Sequence, residues 1–285
     1  MGNAYDDASW NKIITPKQKK LWDQLLDVWE YRELILLFIK RDFVTYYKQT
    51  IFGPLWYLVQ PILSTIMYSI IFGTVAGLGT DGIPQSLFYF SGAMMWTYYS
   101  ENVKAVSNTF YANKAIFGKV FFPRLVVPIS SSAGLLIKFA IQFSLFLLVY
   151  FYFIINGLHV EVSGISLLFP WIILWICVLS CGFGMIISSI TTKYRDLALI
   201  LDFLISLWMY ATPIVYPMSQ VPDFLLTLAC LNPVSVPMEL FRYCFFGICS
   251  VPEWAIALSL VLTILIFMLG IVMFNRNERT FVDVI

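Results

Sequence analysis

Charge is what this chain has least of. Asp, Glu, Lys and Arg make up 12% of its 285 residues, against about 25% in an ordinary soluble domain. That is too little to cover a water-exposed surface of this size. With 60% hydrophobic residues and a mean hydropathy of +0.80, a water-soluble enzyme and a disordered linker are both disfavoured. A nucleic-acid binder is disfavoured too, because 18 Lys and Arg against 17 Asp and Glu leave a net charge of only +1.

Catalytic chemistry is equally thin. The one histidine, His159, reads as a solvated residue of a short loop. No Ser/His/Asp set, HExxH or paired-carboxylate arrangement can be assembled from the rest. A phosphate-binding loop is missing as well. The one Gly-Lys pair, Gly118-Lys119, has Asn113 where the first Gly of that motif should be and Val120 where its Ser/Thr should be. ATP hydrolysis by this chain alone is thereby excluded. The five cysteines show no metal-ligand CxxC spacing. Cys177 and Cys181 read as small apolar residues of a span, and Cys230, Cys244 and Cys249 fall where a disulfide can form. The first 50 residues are charged, with no apolar core before a small-residue cleavage site, so they do not read as a signal peptide.

What is present is long uncharged runs. Between charged residues lie 32 positions from Lys48 to Asp81, 19 from Asp81 to Glu101 and 22 from Lys138 to Glu161. Further runs hold 31 from Glu161 to Lys193, 20 from Asp202 to Asp223 and 22 from Glu253 to Arg276. In hydrocarbon every backbone polar group must be paired internally, so each run near 20 residues is a candidate helix across about 30 Å. The reading is an all-α polytopic membrane protein with six spans near 55–77, 84–106, 130–155, 166–190, 197–217 and 253–274. Sixteen of the 18 Lys and Arg then fall on one side, Arg242 lies opposite and Lys138 lies within a span. That asymmetry puts both termini in the cytoplasm.

Residues 1–54 form a cytoplasmic segment containing an amphipathic helix near 29–49, whose charges interrupt apolar blocks at Leu34–Ile39 and Phe43–Tyr47. Such a helix lies in the interface with its aliphatic face down, until Gly53-Pro54 turns the chain into the transmembrane domain, 55–285. Between the fifth and sixth spans, 223–248 holds two apolar stretches separated by Asn232-Pro233 and Val236-Pro237. Each is about 15 Å as helix, too short to cross. A pair of re-entrant helices at a cavity mouth fits; an amphipathic hairpin on the outer surface is the alternative.

Charges inside spans are costly and mark function, unless they snorkel or pair at the interface. Glu101, Lys138 and Asp202 fall under the second reading here, because three scattered groups do not form a proton relay. Energy is thus expected from a partner. Its docking surface is sought among the cytoplasmic motifs: Arg41-Asp42 in the interfacial helix, Tyr194-Arg195-Asp196 after the fourth span, and NKAIFGKVFFPRLVVP at 113–128. That last loop is basic and aromatic, with Lys114, Lys119, Phe121, Phe122 and Arg124, and is stiffened by two prolines.

These motifs resemble the permease subunits of type-2 ATP-binding cassette exporters for polysaccharides, the family that moves O-antigen, capsule-like polymers and teichoic acids. The resemblance runs from about Leu34 to Ile285. It rests on RDFVTYYKQTIFGPLWYLVQPIL at 41–63, NKAIFGKVFFPRLVVPIS at 113–130, YRDLALILDFLISLWMYATPIVYP at 194–217, LNPVSVPMELFR at 231–242 and ERTFVDVI at 278–285. Each is weak alone; five in the family's order are specific. The resemblance implies a bacterial inner-membrane homodimer working with two ATPase subunits. It binds no cofactor itself, ATP and Mg residing on the ATPase, and it exports a lipid-linked polysaccharide. The interfacial helix and the 113–124 loop would dock the ATPase. The short helices, with Asn232, Pro233, Glu239 and Arg242, would form an outer gate. Lys138 departs from the pattern, standing where many members carry an acidic residue, so no role is carried over to it.

Aromatics make up 18% of the chain. Trp22, Trp29, Trp171 and Trp254 suit an interfacial belt. Tyr89, Trp96, Tyr98 and Tyr99 in the second span, with Trp208 and Tyr210 in the fifth, combine flat faces with polar edges, and are candidates to line a sugar path. Two other functions stay open at this stage. One is a type-2 exporter of drugs or small lipids. The other is a membrane glycosyl- or acyl-transferase, for which His159 with Glu161 is the one available cluster.

Overall fold

In the computed structural model, residues 27–48, 53–117, 119–120, 122–158, 167–194, 196–248 and 250–284 are described; among them every regular element is a helix. The first, α1 (Arg32–Lys48), repeats Leu34, Ile35 and Phe38 at three- and four-residue spacing, with Tyr31 just before it, which turns one face inward against a later helix. Leu36 and Leu37 stay exposed on the other side. Gly53 then takes a positive φ of 53°, a conformation open to glycine, and the chain enters α2 (Trp56–Tyr68). Its last turns widen to a π-helix over Ser69–Val75.

Helix α3 (Gln85–Ser107) is the axle of the molecule: everything from Leu87 to Trp96 is buried, because α2 and four later helices pack around it. Two single turns, Thr109–Ala112 and Lys114–Phe117, lead to α4 (Val126–Ile155). This helix starts earlier than the expected 130 because Pro128 falls in its first turn, where a missing N–H costs nothing. Next come α5 (Phe169–Lys193) and α6 (Asp196–Tyr210). The expected fifth span at 197–217 is too long, since Pro213 and Pro217 cannot continue the helix. Helices α7 (Asp223–Leu231) and α8 (Ser235–Phe246) meet at 98°. Gly247, at φ 73°, caps α8, and α9 (Glu253–Val284) completes the bundle against α5.

Four of these helical stretches are long and apolar enough to cross a membrane: Trp56–Val75, Val126–Ile155, Phe169–Lys193 and Glu253–Arg276; the bent α7–α8 pair makes a fifth if it counts as one span. Helix α3 is long enough but carries Glu101 and Lys104. At 15 residues α6 reaches about 22 Å.

Candidate functional site

Among the described residues, Arg41, Lys104, Lys114, Lys119 and Arg124 lie toward one end of the bundle, where an apolar cluster ties α1 to its neighbours. Phe38 and Phe122 meet edge to face at 5.8 Å, and Phe117 lies 5.8 Å from Phe122. Phe122 is therefore buried, and Phe117 and Phe122 pack inward and hold the segment to α1. Lys114 and Lys119 face outward, and the Arg124 guanidinium sits over the Phe117 ring at 5.3 Å. Phe121 and Arg195 lie outside the described residues, as do His159, Glu161 and Cys249. Asp196 and Tyr194 are exposed, with the Lys193 ammonium 5.2 Å from the Tyr194 ring centre. Arg41 pairs with Asp42 at 2.8 Å and stacks on Phe38. Both line a 480 Å³ cleft with Lys104, Asn108, Asn113 and Ser131.

The charges inside the helices are paired. Lys138 on α4 bonds the Glu101 carboxylate on α3 at 2.5 Å and reaches Gln60 of α2 at 3.5 Å. One turn along α3, Lys104 bonds Asp202 of α6 at 2.7 Å. Deeper still is a polar knot that single-residue reading missed: Ser132 donates to Asn102 Oδ1 at 2.8 Å, and Asn102 Nδ2 donates to Ser180 at 2.7 Å. It joins α3, α4 and α5. Its one signal in the sequence was an amide side chain within an expected span, which needs partners in hydrocarbon.

At the opposite end, Trp208 and Tyr210 of the expected sugar path and Asn232 and Pro233 of the expected gate come together around a single 740 Å³ cleft, with Tyr216, Leu225 and Leu228. Asn232 is the knot of its rim. It accepts from Trp208 Nε1 at 3.1 Å and from the Val234 N–H at 3.2 Å, and it donates to Thr212 Oγ1 at 2.9 Å and the Ala211 carbonyl at 3.2 Å. The irregular segment between α6 and α7 is thus pinned to the α7–α8 corner. Arg242 pins it a second time: the guanidinium donates to the Pro213 and Ile214 carbonyls at 2.7 Å each and to Glu239 at 2.8 Å. It lies 3.8 Å from the Phe88 ring centre. Glu239 and Arg242 are both buried, so they act as a clamp inside the chain and leave no side chain free in the cleft.

The remaining aromatic candidates sit elsewhere. Tyr89, Trp96, Tyr98 and Tyr99 are enclosed by their own chain, none more than 7% exposed. Tyr99 packs on Trp96, Phe183 and Trp208, and Tyr98 on Phe139. A sugar has no open ring face to stack on at these four, because their rings are turned into the bundle. Cys177 and Cys181 pack in the interior, and Cys230 and Cys244 belong to different apolar clusters. Among the described residues no group of His, Cys, Asp and Glu could hold a metal ion.

Residues 33–246 match the family described as ABC-2 type transporter. Among curated relatives, the O-antigen export system permease protein RfbA of Klebsiella pneumoniae is 26% identical over 257 residues, covering 89% of this chain and 95% of the relative. The protein of the same name in Myxococcus xanthus is 26% identical over 223 residues, 77% and 83% of the two chains. The polysialic acid transport protein KpsM of Escherichia coli is 22% identical over 204 residues, 71% and 77%.

Proposed function

Since the chain belongs to the ABC-2 type transporter family, we propose that it is the membrane permease of a polysaccharide exporter, moving a lipid-linked glycan outward across the bacterial inner membrane. The observation that carries this reading is the alignment with O-antigen export permeases over nearly their whole length. In this reading six helices cross, α3 and the short α6 being carried by their neighbours, with both termini in the cytoplasm and α7–α8 re-entering from the outer side. The chain pairs with a second copy and with two ATPase subunits, on which ATP and Mg bind.

The geometry supports a division of labour. At the basic end α1 and the 113–124 segment share one aromatic core, so a push on the exposed lysines of that segment is carried into α1 and the first turn of α4. At the other end the cleft of Trp208, Tyr210, Asn232 and Pro233 forms the outer gate, its hinge segment held by Asn232 and Arg242. Deletion of the chain tests the reading. A lipid-linked glycan should accumulate inside while the surface loses it, and unchanged surface glycan in the deletion strain would rule the reading out.

A further inference from the structure

Helix α3 is closed to its surroundings except along one line. Beyond Ser86, its residues that are not buried are Thr97, Glu101, Lys104, Ala105 and Ser107, followed by the exposed Asn108 that caps it. Thr97, Glu101, Lys104 and Asn108 follow each other at spacings of four, three and four, which is one face of a helix. All four are polar or charged, in a helix whose other faces are packed with Leu, Phe, Met and aromatic rings.

Lys138, the partner of Glu101, keeps 12% of its side chain exposed, and two further groups along that face are more open. Asp202, which pairs with Lys104, keeps 75% of its side chain exposed among equally exposed Leu199 and Phe203. Gln60, within reach of Lys138, is exposed on α2. Ion pairs and amides left open at this depth cannot face lipid tails, where a charge is costly; they face water or a polar occupant. Toward the basic end the line runs into the 480 Å³ cleft of Arg41, Asp42, Lys104, Asn108 and Asn113, so the accessible polar face has a mouth. From Asn108 to Thr97 it climbs about 16 Å, half of a bilayer core.

Taking the chain as the exporter proposed above, we propose that the face Thr97–Glu101–Lys104–Asn108 lines the inner half of the passage and that its occupant is the glycan chain. The charge pattern selects that occupant. Glu101, Lys104, Lys138 and Asp202 are two acids and two bases, so the wall has no net sign. A path for an anion or a cation would be lined with the opposite charge. A neutral wall of alternating donors and acceptors instead matches sugar hydroxyls, which both donate and accept.

Cysteine labelling in membrane vesicles, with the full chain and its ATPase and the native cysteines replaced, tests the assignment with a water-soluble maleimide. Thr97→Cys should label about tenfold faster than Leu265→Cys, an exposed apolar position on α9. The labelled Thr97→Cys protein should export about tenfold less glycan than the same variant left unlabelled. Labelling no faster than at Leu265→Cys overturns the proposal, as does a crosslink between two copies through Thr97→Cys, because the face would then be lipid-bound or a subunit contact. Export that survives labelling overturns it too. Failure of the exporter reading appears elsewhere, as surface glycan retained in the deletion strain whatever the labelling rates.

Discussion

Arg242 shows how much one side chain can organise. Its guanidinium satisfies two carbonyls of the broken segment after α6 and the Glu239 carboxylate, and it presses on the Phe88 face. Removing one partner of a buried pair leaves the other charge uncompensated, a loss of about 3–5 kcal/mol. Arg242→Met should therefore sharply lower the melting temperature of the purified protein. The double variant with Glu239→Gln should recover part of the loss, since the orphaned carboxylate is gone. Equal melting temperatures for single variant and wild type would show that the clamp carries no weight. The sequence marked both residues through the LNPVSVPMELFR motif, but not their buried roles, because their carbonyl partners lie nearly 30 positions away. The same holds for Glu101 and Lys138: each charge was visible, while the pairing depends on how α3 and α4 face each other.

At the scale of the element, uncharged runs located the helices well. A helix, Gln85–Ser107, covers the stretch read as 84–106, and the last helix begins at Glu253. Less legible was which side of each element points inward. Phe122 and the rings of α3 sit in the interior, because run length says nothing about neighbours, and an aromatic-rich sequence suits a lined path and a packed core equally. Close helix approach is the clearest element-level consequence. Where α5 crosses α9, a Cβ on Gly270 would stand 2.6 Å from the Gly182 carbonyl oxygen, and one on Gly182 would stand 2.8 Å from Phe267 Cα. Backbone meets backbone there, as small residues permit between membrane helices. Gly270→Leu should force the pair apart at a cost of about 1–3 kcal/mol, read as less folded protein in detergent. Gly134→Leu, where a Cβ meets nothing within 4 Å, serves as the control. Equal yields of the two variants would remove the crossing from the account.

For the whole molecule, the near-zero net charge conceals an uneven placement of Lys and Arg along the chain, on which the proposed docking of the ATPase rests. The exposed basic end carries Lys114 and Lys119 on a segment whose Phe117 and Phe122 pack in one cluster with Phe38 of α1. Arg124 is a poorer probe of docking, because its guanidinium also packs on Phe117 and a change there disturbs the fold along with the surface. Reversing exposed charges alters recognition more than stability, since surface substitutions usually stay within about 0.5 kcal/mol. Rim charges also steer association. Lys114→Glu with Lys119→Glu should therefore leave the melting temperature unchanged, while co-purification of the ATPase falls by about tenfold and glycan export falls with it. Full recovery of the ATPase with the double variant, still hydrolysing ATP at the stimulated rate, would move the docking surface away from this segment. Arg41-Asp42 and the cleft beside them would then be left as the contact. Because α1 and the 113–124 segment share one core, a partner bound at either place would still move both.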